Sequence, residues 1–465
     1  MLKNRNLNVR NIGIHKFLAS LQVNTVNRVA IHLDNSPDWL QIDTFLTEHD
    51  KVIVPVPHFF TSKQISFMSI MAGIDTVVCE QQAQPLWQSL GFVCQKHDGN
   101  HVLLVADKTN KLPKLPAATH KITFTSGTTS EPKGVCLSHQ HLQVVGQSLA
   151  NITSQFNVTK HLCLLPLSVL LENVAASYAA RLLDIEIMTP SLSELGLIGS
   201  SQLDVKKLID AIIHYKPDSI ILMPQMLKAI IAYLQNESLD MSFLKFIAVG
   251  GAVCSKGLLN KARELDLPVY EGYGISECGS VISLNTDLKN SGSVGKILPH
   301  QKVKINKSSE ILTSGQLFLG YLGEPENVSQ WYATGDLGRI DEDNNLHIIG
   351  RKKNTIINSF GRNISPDWIE AELLALDNIS QVAVFGEAQP YLTAICITSH
   401  DKNRVFQSIK IINNNLPDYA QVRKIIVSHQ PFTQNNHMLT ASGKTKHQYI
   451  FKHYKQQLQE IYAQA

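Results

Sequence analysis

The sequence Lys121–His141, KITFTSGTTSEPKGVCLSHQH, joins two apolar segments through a turn that is rich in hydroxyl side chains. This order predicts a strand, a turn and a return to regular structure. The turn consists of small residues that expose backbone N–H and hydroxyl groups: Thr125, Ser126, Gly127, Thr128 and Thr129. Such groups can converge on one polyanion, to which Lys133 adds a positive charge, so a nucleotide triphosphate would suit the turn. The composition equally fits an ordinary surface turn, and the GxxxxGK[ST] spacing of the usual phosphate loop is absent.

The composition of the whole chain excludes several classes of protein. A length of 465 residues favours two or more domains, and 44% hydrophobic with 17% charged residues is a globular balance. A net charge of +3 gives no basis for a nucleic-acid partner. Seven scattered cysteines form no CxxC pair and show no metal-ligand spacing with histidine, which indicates reduced thiols in the cytoplasm.

No apolar run reaches the ~20 residues that a transmembrane helix requires. The basic start of the chain also lacks the apolar core of a signal peptide. We therefore expect no transmembrane segment. A peripheral membrane contact stays open, because a lipid-like substrate would favour it.

The order of the predicted elements indicates an α/β fold. Residues Arg28 to Pro57 read as strand, helix and strand, the pattern of a parallel unit, and the alternation resumes after the opening stretch. It includes a helix rich in small residues over Glu172–Leu183, which fits close helix packing somewhat better than an acyl tunnel. From about Gly315, short β segments predict a small β module.

The charged run RKKN, Arg351–Asn354, predicts a hinge between two domains. Residues 1–350 would form a large N-terminal domain made of α/β layers and the β module. Residues 351–465 would form a smaller, mobile α+β domain. This division is the predicted architecture of the chain.

Five separated segments resemble the adenylate-forming superfamily, which includes acyl-CoA synthetases, carrier-loading adenylation domains and luciferase-like enzymes. In chain order they are FTSGTTSEPKGV (124–135), YGISE (273–277), WYATGDLGRID (331–341), GRKKNTIINSFGRNISP (350–366) and LTASGKTKH (439–447). The likeness is greatest to the fatty acyl-CoA synthetases. It implies an ATP- and Mg²⁺-dependent acid–thiol ligase whose C-terminal domain acts as a lid.

The second segment would bind the base and the metal ion. An aromatic ring beside a glycine can stack on a purine, and a carboxylate is a hard oxygen ligand for Mg²⁺. The resemblance assigns adenine stacking to Tyr273, next to Gly274, phosphate contact to Ser276 and the metal to Glu277. It also makes Gly250-Gly251-Ala252 the adenine-side turn. From the residues alone, a packed tyrosine and a simple strand-to-helix turn fit equally well.

The remaining segments carry the predicted ribose, hinge and catalytic residues. By resemblance Asp336 binds the ribose diol, Arg351 contacts ribose or phosphate, and Lys353 with Asn354 forms the hinge. Lys444 would bridge the carboxylate and the α-phosphate as they react, together with Ser276 and Glu277. From the residues alone, Asp336 also fits a turn-stabilising aspartate, Arg351 one end of a solvated charge run, and Lys444 a lysine in a basic tail.

Several positions depart from the family pattern. Ser130 replaces a glycine of the phosphate turn, and Asn354 replaces an acidic hinge residue. Phe360 replaces a glycine in the loop that approaches the thiol, which puts access of free coenzyme A in doubt. The chain also begins late relative to the family, which implies a reduced N-terminal region.

The predicted reaction activates a small-molecule carboxylic acid, a medium- or long-chain fatty acid, to acyl-AMP and then forms a thioester with coenzyme A. One alternative keeps the adenylation and loads the phosphopantetheine of an acyl carrier protein. A second alternative is a non-catalytic relative that binds nucleotide or acyl-adenylate.

Overall fold

A computed structural model describes residues 28–107, 113–125, 132–198, 202–290, 292–324, 329–440 and 443–463. Its first large sheet has eight strands, with a parallel centre formed by the predicted strand–helix–strand unit. The strand order is Gly320–Tyr321, Lys133–Ser138, Thr119–Thr125, Val52–Pro55, Arg28–His32, Thr76–Glu80, His101–Ala106 and Phe92–Asp98.

Both faces of this sheet are buried, because its central strands are apolar at every second position on each side. The strand Arg28–His32 sends Ala30 into one apolar cluster and Val29 with Ile31 into another. The predicted parallel α/β unit is therefore confirmed, with a helix at Pro37–Glu48 between its strands.

A second sheet of seven strands carries the middle of the chain. Its order is Lys296–Ile297, Ser283–Leu284, Val269–Tyr273, Phe246–Val249, Ser219–Leu222, Lys160–Leu162 and Glu186–Met188. Its five strands from Val269–Tyr273 onward pair in parallel, which sends the ends of Phe246–Val249 and Val269–Tyr273 to the same edge.

Most of the longer helices begin at side-chain caps that the sequence supplies. Ser36 and Ser365 each accept a backbone N–H and precede a proline, and Thr61 forms a capping box with Gln64. The longer helices with such a cap are Pro37–Glu48, Ser62–Ala72, His139–Thr153, Val205–Tyr215, Lys256–Glu264, Pro366–Leu374 and Lys402–Asn413, and those without one are Pro224–Leu234 and His447–Tyr462. None of the described helices combines the length and the apolar character needed to cross a bilayer.

The small β module differs from its prediction at both ends. Its sheet begins well before Gly315, with the order Gln301–Ile305, Glu310–Gly315, Tyr332–Ile340 and Leu346–Arg351. The predicted strand LFLGYL does not join it, because Gly320–Tyr321 pairs with Lys133–Ser138 in the first large sheet.

The helix rich in small residues is also different from its prediction. It consists of Leu170–Asn173, a π-helical turn at Val174–Ala179 and Ala180–Leu182. Its small residues pack closely against His139–Thr153, where a Cβ at Gly146 would lie 2.5 Å from the Cβ of Tyr178. Local sequence periodicity could not reveal the π turn, because a segment of only six residues is too short to show a period of its own.

The C-terminal part has its own apolar core, as the α+β prediction requires. Gln381–Phe385, Leu392–Ile397 and Val422–Ser428 form a sheet that is covered by Pro366–Leu374, Lys402–Asn413 and His447–Tyr462. The prediction omitted the strand Val422–Ser428.

Two lysines of the large part hold the carbonyl end of helix Pro366–Leu374. Lys228 Nζ donates to the carbonyl oxygens of Leu376 (2.9 Å) and Ile379 (2.6 Å). Lys261 Nζ donates to the carbonyl of Ala375 (3.2 Å) and to Asp377 Oδ1 (2.8 Å). The C-terminal end of a helix carries partial negative charge, so both contacts favour this arrangement of the two parts.

Candidate functional site

The predicted ribose carboxylate is the centre of a hydrogen-bonded cluster. Asp336 is buried on strand Tyr332–Ile340, directly opposite Arg351 on the neighbouring strand. Arg351 Nε lies 2.8 Å from Asp336 Oδ1, and the Tyr273 hydroxyl donates to Asp336 Oδ2 at 2.7 Å. Burial raises the pKa of Asp336, while Arg351 and Tyr273 oppose that rise. The structure thus brings together three residues that lie far apart in sequence.

Lys444 reaches the same cluster from the C-terminal part. A turn fixes its backbone, since Lys444 N–H donates to Thr440 Oγ1 at 2.9 Å. Its side chain keeps solvent exposure, yet the protein around its ammonium lowers the Lys444 pKa, and Arg351 lowers it further. Asp336 and Asp367 act in the opposite direction. A cation from the C-terminal part therefore lies within electrostatic range of Asp336.

Glu277 lies on a short turn, Ser276–Cys278, that follows strand Val269–Tyr273. The Tyr321 hydroxyl donates to Glu277 Oε1 at 2.6 Å. Tyr332 lies 2.8 Å from the same hydroxyl oxygen and must donate to it, because Tyr321 has given its proton to Glu277. Ser276 precedes Glu277 in the turn and is half-buried.

These contacts agree with the requirements of a magnesium ligand. Glu277 is half-buried, and Oε2 has no hydrogen-bond partner among the described residues. A carboxylate with one oxygen anchored and one oxygen free fits Mg²⁺, which takes one or two protein carboxylates and fills its other positions with water and phosphate oxygens.

The predicted phosphate turn connects two strands that we call the lysine hairpin, Thr119–Thr125 and Lys133–Ser138. Thr125 ends the first strand and Lys133 begins the second, as the sequence indicated. Lys133 Nζ lies 3.2 Å from Glu324 Oε1 and 4.5 Å from the centroid of the Tyr321 ring. The predicted turn residues Ser126, Gly127, Thr128 and Thr129, and with them Ser130, lie outside the described residues.

The predicted adenine-side turn follows strand Phe246–Val249. Gly250 packs against the backbone of Gly272, where an added Cβ would lie 3.1 Å from the carbonyl oxygen. Gly251 has φ +79°, a left-handed conformation that favours glycine, and with Ala252 it is exposed. At Gly274 an added Cβ would collide with the backbone of Ser280. The glycines therefore permit close approaches of backbone at this edge of the sheet.

The predicted hinge residues lie on a turn, Lys352–Asn354, directly after Arg351. Asn354 Nδ2 donates to both oxygens of Asp367 at 3.3 Å, so the amide interacts with an acidic neighbour across the turn. Lys353 is exposed, although the protein around its ammonium removes part of its water and lowers its pKa, and the nearby Arg351 lowers it further. Phe360 is 72% exposed on the turn between Ile356–Ile357 and Asn363–Ile364.

Sequence reasoning missed Tyr321, Tyr332 and Asp367 as parts of this site. Tyr321 lies within LFLGYL, which was interpreted only as a β segment. Its contact with Glu277 depends on the pairing of Gly320–Tyr321 with Lys133–Ser138, which no local pattern encodes.

A second cluster was also missed, because its members are two and nine residues apart on different elements. Ligand-type atoms of His161, Cys163 and Glu172 lie within 4.8 Å of one another. Both imidazole nitrogens already have partners, Ser219 Oγ at 2.9 Å and Glu172 Oε1 at 2.8 Å. Glu172 Oε2 accepts the N–H of Leu165 at 3.0 Å. The cluster is closed by its own hydrogen bonds and joins a strand to a helix.

Comparison with protein families identifies both parts of the chain. The family model described as "AMP-binding enzyme" matches residues 13–322. A second model, "AMP-binding enzyme C-terminal domain", matches residues 353–465.

The individual relatives described here match this chain at 26–30% sequence identity. The long-chain-fatty-acid–CoA ligase FadD15 of Mycobacterium bovis is 30% identical over 247 residues, which are 46% of this chain and 41% of the relative. This match thus spans less than half of the relative. The 4-coumarate–CoA ligase 4 of Arabidopsis thaliana is 26% identical over 430 residues, 81% of this chain and 73% of the relative.

Solved structures share the fold at low identity. The o-succinylbenzoate coenzyme A synthetase MenE of Bacillus subtilis, in complex with ATP and magnesium ion, has a TM-score of 0.73 and 20% identity, covering 94% of this chain and 91% of the other. The anthranilate CoA ligase AuaEII, in complex with anthranoyl-AMP, has a TM-score of 0.76 and 16% identity, covering 95% and 90%.

Proposed function

Because the chain belongs to the AMP-binding enzyme family, we propose that it is an ATP-dependent acid–thiol ligase. In the first step a carboxylate oxygen attacks the α-phosphorus of ATP, and the bond to the β-phosphate breaks, giving acyl-AMP and pyrophosphate. In the second step a thiolate attacks the acyl carbon, giving a thioester and AMP.

The observation that carries this proposal is the cluster of Tyr273, Asp336 and Arg351 with Lys444 at its edge. Asp336 would accept the ribose hydroxyls, and Arg351 would hold the carboxylate in place while its remaining donors reach ribose or phosphate. Lys444 would stand between the two anions that must meet in the first step, where a positive charge stabilises the transition state.

At the other end of the site, Thr125 and Lys133 would hold the terminal phosphates with Ser126, Gly127, Thr128 and Thr129. Ser276 would contact phosphate, and Gly250, Gly251, Ala252 and Gly274 would leave room for the base beside Tyr273. Glu277 would hold Mg²⁺, whose charge neutralises the phosphates when bound. Residues 1–350 and 351–465 would act as body and lid, with Lys353 and Asn354 as the hinge.

We further propose a medium- or long-chain fatty acid as the substrate and coenzyme A as the acceptor. The name of the mycobacterial relative supports the first choice, although other relatives are named for coumarate and o-succinylbenzoate. We propose the cytoplasm as the location, since all seven cysteines, each within the described residues, are free.

The exposed ring of Phe360 favours a second candidate, the same adenylation with a phosphopantetheinyl carrier protein as acceptor. An apolar ring that is 72% exposed on a loop is suited to contact with a protein partner. Comparing the thioester yield with free coenzyme A and with a holo carrier protein distinguishes the two acceptors.

The test of the first step is exchange of labelled pyrophosphate into ATP with a panel of fatty, aryl and dicarboxylic acids. We expect exchange that depends on a fatty acid and on Mg²⁺, and a loss of at least about a hundredfold in Lys444→Ala. A folded protein that binds ATP but exchanges with none of the acids is instead a non-catalytic nucleotide-binding relative.

A further inference from the structure

One tyrosine contacts both the predicted metal ligand and the predicted phosphate lysine. The Tyr321 hydroxyl donates to Glu277 Oε1 at 2.6 Å, and the face of its ring lies 4.5 Å from Lys133 Nζ. Glu277 lies on the turn after strand Val269–Tyr273 of the second sheet, and Lys133 lies on a strand of the first sheet, 144 positions away in the sequence. One side chain, Tyr321, therefore contacts both groups.

The backbone around Tyr321 holds it between these elements. Tyr321 pairs with Val135 on the lysine hairpin, and Leu322 N–H donates to the carbonyl of Gly134 at 2.8 Å. On the other side, Phe318 N–H donates to the carbonyl of Glu277 at 2.7 Å. The segment that carries Tyr321 is thus hydrogen-bonded to both functional elements.

The side chain of Tyr321 is also fixed. Its ring packs edge-on against Phe318, with centroids 4.8 Å apart, and Tyr332 donates to its hydroxyl oxygen. A tyrosine held in this way is a permanent donor to one oxygen of the carboxylate.

From this geometry we propose that Tyr321 is a positioning residue that orients Glu277 for Mg²⁺ and supports Lys133 beneath the phosphates. The proposal deepens the function proposed above and rests on it. A glutamate side chain has three rotatable bonds, and a fixed donor on Oε1 leaves Oε2 aimed and free. Partners that orient a metal ligand in this way typically contribute a factor of about 10 to 100 in metal affinity.

The ring has a separate effect on Lys133. A cation above an aromatic face is attracted to it, by a factor of about two to five in affinity at an exposed site. The hydroxyl and the ring of Tyr321 should therefore act on different parts of the bound nucleotide, and two substitutions can separate them.

The test measures ATP binding by calorimetry, once with Mg²⁺ and once with EDTA, so the readout does not depend on turnover. The ratio of the ATP affinity with Mg²⁺ to the ATP affinity in EDTA is the gain that Mg²⁺ supplies. In Tyr321→Phe we expect this gain to fall about tenfold, while the affinity in EDTA stays unchanged. In Tyr321→Leu the affinity in EDTA should also fall, about two- to fivefold. Tyr462→Phe is the matched control, because it removes a hydroxyl that donates to the Phe385 carbonyl within the C-terminal part.

A double-mutant cycle shows whether Tyr321 acts through Glu277. In a Glu277→Gln background, Tyr321→Phe should cause no further loss. An unchanged Mg²⁺ gain in Tyr321→Phe, or equal losses with and without Glu277, overturns this inference while leaving the proposed function intact. A wild-type protein that fails to bind Mg²⁺-ATP overturns both.

Discussion

Two lysines of the lysine hairpin form ion pairs in opposite surroundings. Lys121 Nζ lies 2.8 Å from Asp43 Oδ1, and the two side chains are 0% and 3% exposed. Lys133 Nζ lies 3.2 Å from Glu324 Oε1, and both of these side chains are 52% exposed. The same residue type, on paired strands of one hairpin, therefore serves two different purposes.

The two lysines differ in whether they can exchange the carboxylate partner for another group. Lys121 also donates to Asn173 Oδ1 at 2.6 Å. Because its side chain is fully buried, solvent does not replace either partner. Its loss would leave Asp43 as an unpaired buried charge. The Lys133 pair is exposed, is worth at most about 1 kcal/mol, and can exchange Glu324 for a phosphate. We infer that the buried pair is structural and that the exposed lysine is available to a ligand.

The largest effect is expected at the buried pair. Lys121→Met should lower the free energy of unfolding by about 3–5 kcal/mol, because it leaves the Asp43 carboxylate buried without its cation. Urea denaturation followed by tryptophan fluorescence measures this change.

The matched control removes both charges. Lys121→Met combined with Asp43→Asn should recover most of the lost stability, since no unpaired charge remains. A single Lys121→Met variant that loses less than about 1 kcal/mol would contradict the structural role of the pair.

A half-buried pair in the C-terminal part extends the comparison and makes it dependent on pH. His447 Nε2 lies 2.6 Å from Glu370 Oε1. Burial alone would lower the pKa of His447, but the Glu370 carboxylate raises it to about 9. Since this folded-state pKa lies above the ordinary value of 6.5, the histidine's contribution is present below pH 6.5 while Glu370 is ionised, and it is lost as the pH rises through 9. Burial raises the pKa of Glu370, so protonation of that carboxylate removes the pair in acid.

We expect the pair to contribute about 2–3 kcal/mol to the free energy of unfolding at pH 6, and little at pH 10. Urea denaturation of wild type and His447→Ala at both pH values isolates this contribution. His453→Ala, an exposed histidine on the same helix, is the control. If the two variants show the same pH dependence, the pair does not carry the effect.

At the exposed pair the effect should appear in binding and not in stability. Lys133→Met should weaken ATP binding about tenfold, through the loss of a charge-assisted hydrogen bond to phosphate. Its free energy of unfolding should change by less than about 0.5 kcal/mol. Lys304→Met is the control, because Lys304 also lies above an aromatic ring, 4.0 Å from the centroid of Trp331. Equal losses of ATP affinity in both variants would remove Lys133 from the site.

The smallest effect is expected at the partner of Lys133. Glu324→Gln should tighten ATP binding about twofold, because the lysine no longer has to leave a carboxylate. The gain should shrink at 0.5 M salt, which screens the exposed pair. Weaker binding in this variant would mean that Glu324 contributes to the site.

The sequence predicted the elements of the fold better than their pairing. The parallel unit around Arg28–His32 was predictable, because apolar runs and turn residues are local signals. The attachment of Gly320–Tyr321 to the lysine hairpin was not, since a two-residue strand has no periodicity of its own. The π turn at Val174–Ala179 was hidden for a similar reason.

For the site, the motifs predicted which residue types matter but not which ones meet. Asp336 and Arg351 were separate predictions, and the strand register that pairs them is a property of the folded sheet. Tyr321 had no predicted role, because its partners Glu277 and Lys133 become neighbours only through tertiary structure. Lys121 begins the segment Lys121–His141 but had no predicted role. Its complete burial makes it the more important of the two hairpin lysines for stability.

The two lysines at the carbonyl end of helix Pro366–Leu374 have a consequence for the proposed movement of the C-terminal part. Any rotation of the C-terminal part must break the four hydrogen bonds of Lys228 and Lys261 together. At about 0.5–1.5 kcal/mol each, these bonds would hold an orientation that replaces none of them to a population of a few per cent or less. Burial lowers the pKa of Lys228 to about 8, so alkaline solution removes one of the two charges. The resting equilibrium of the lid would then be set by two residues far from the nucleotide, and it would shift with pH.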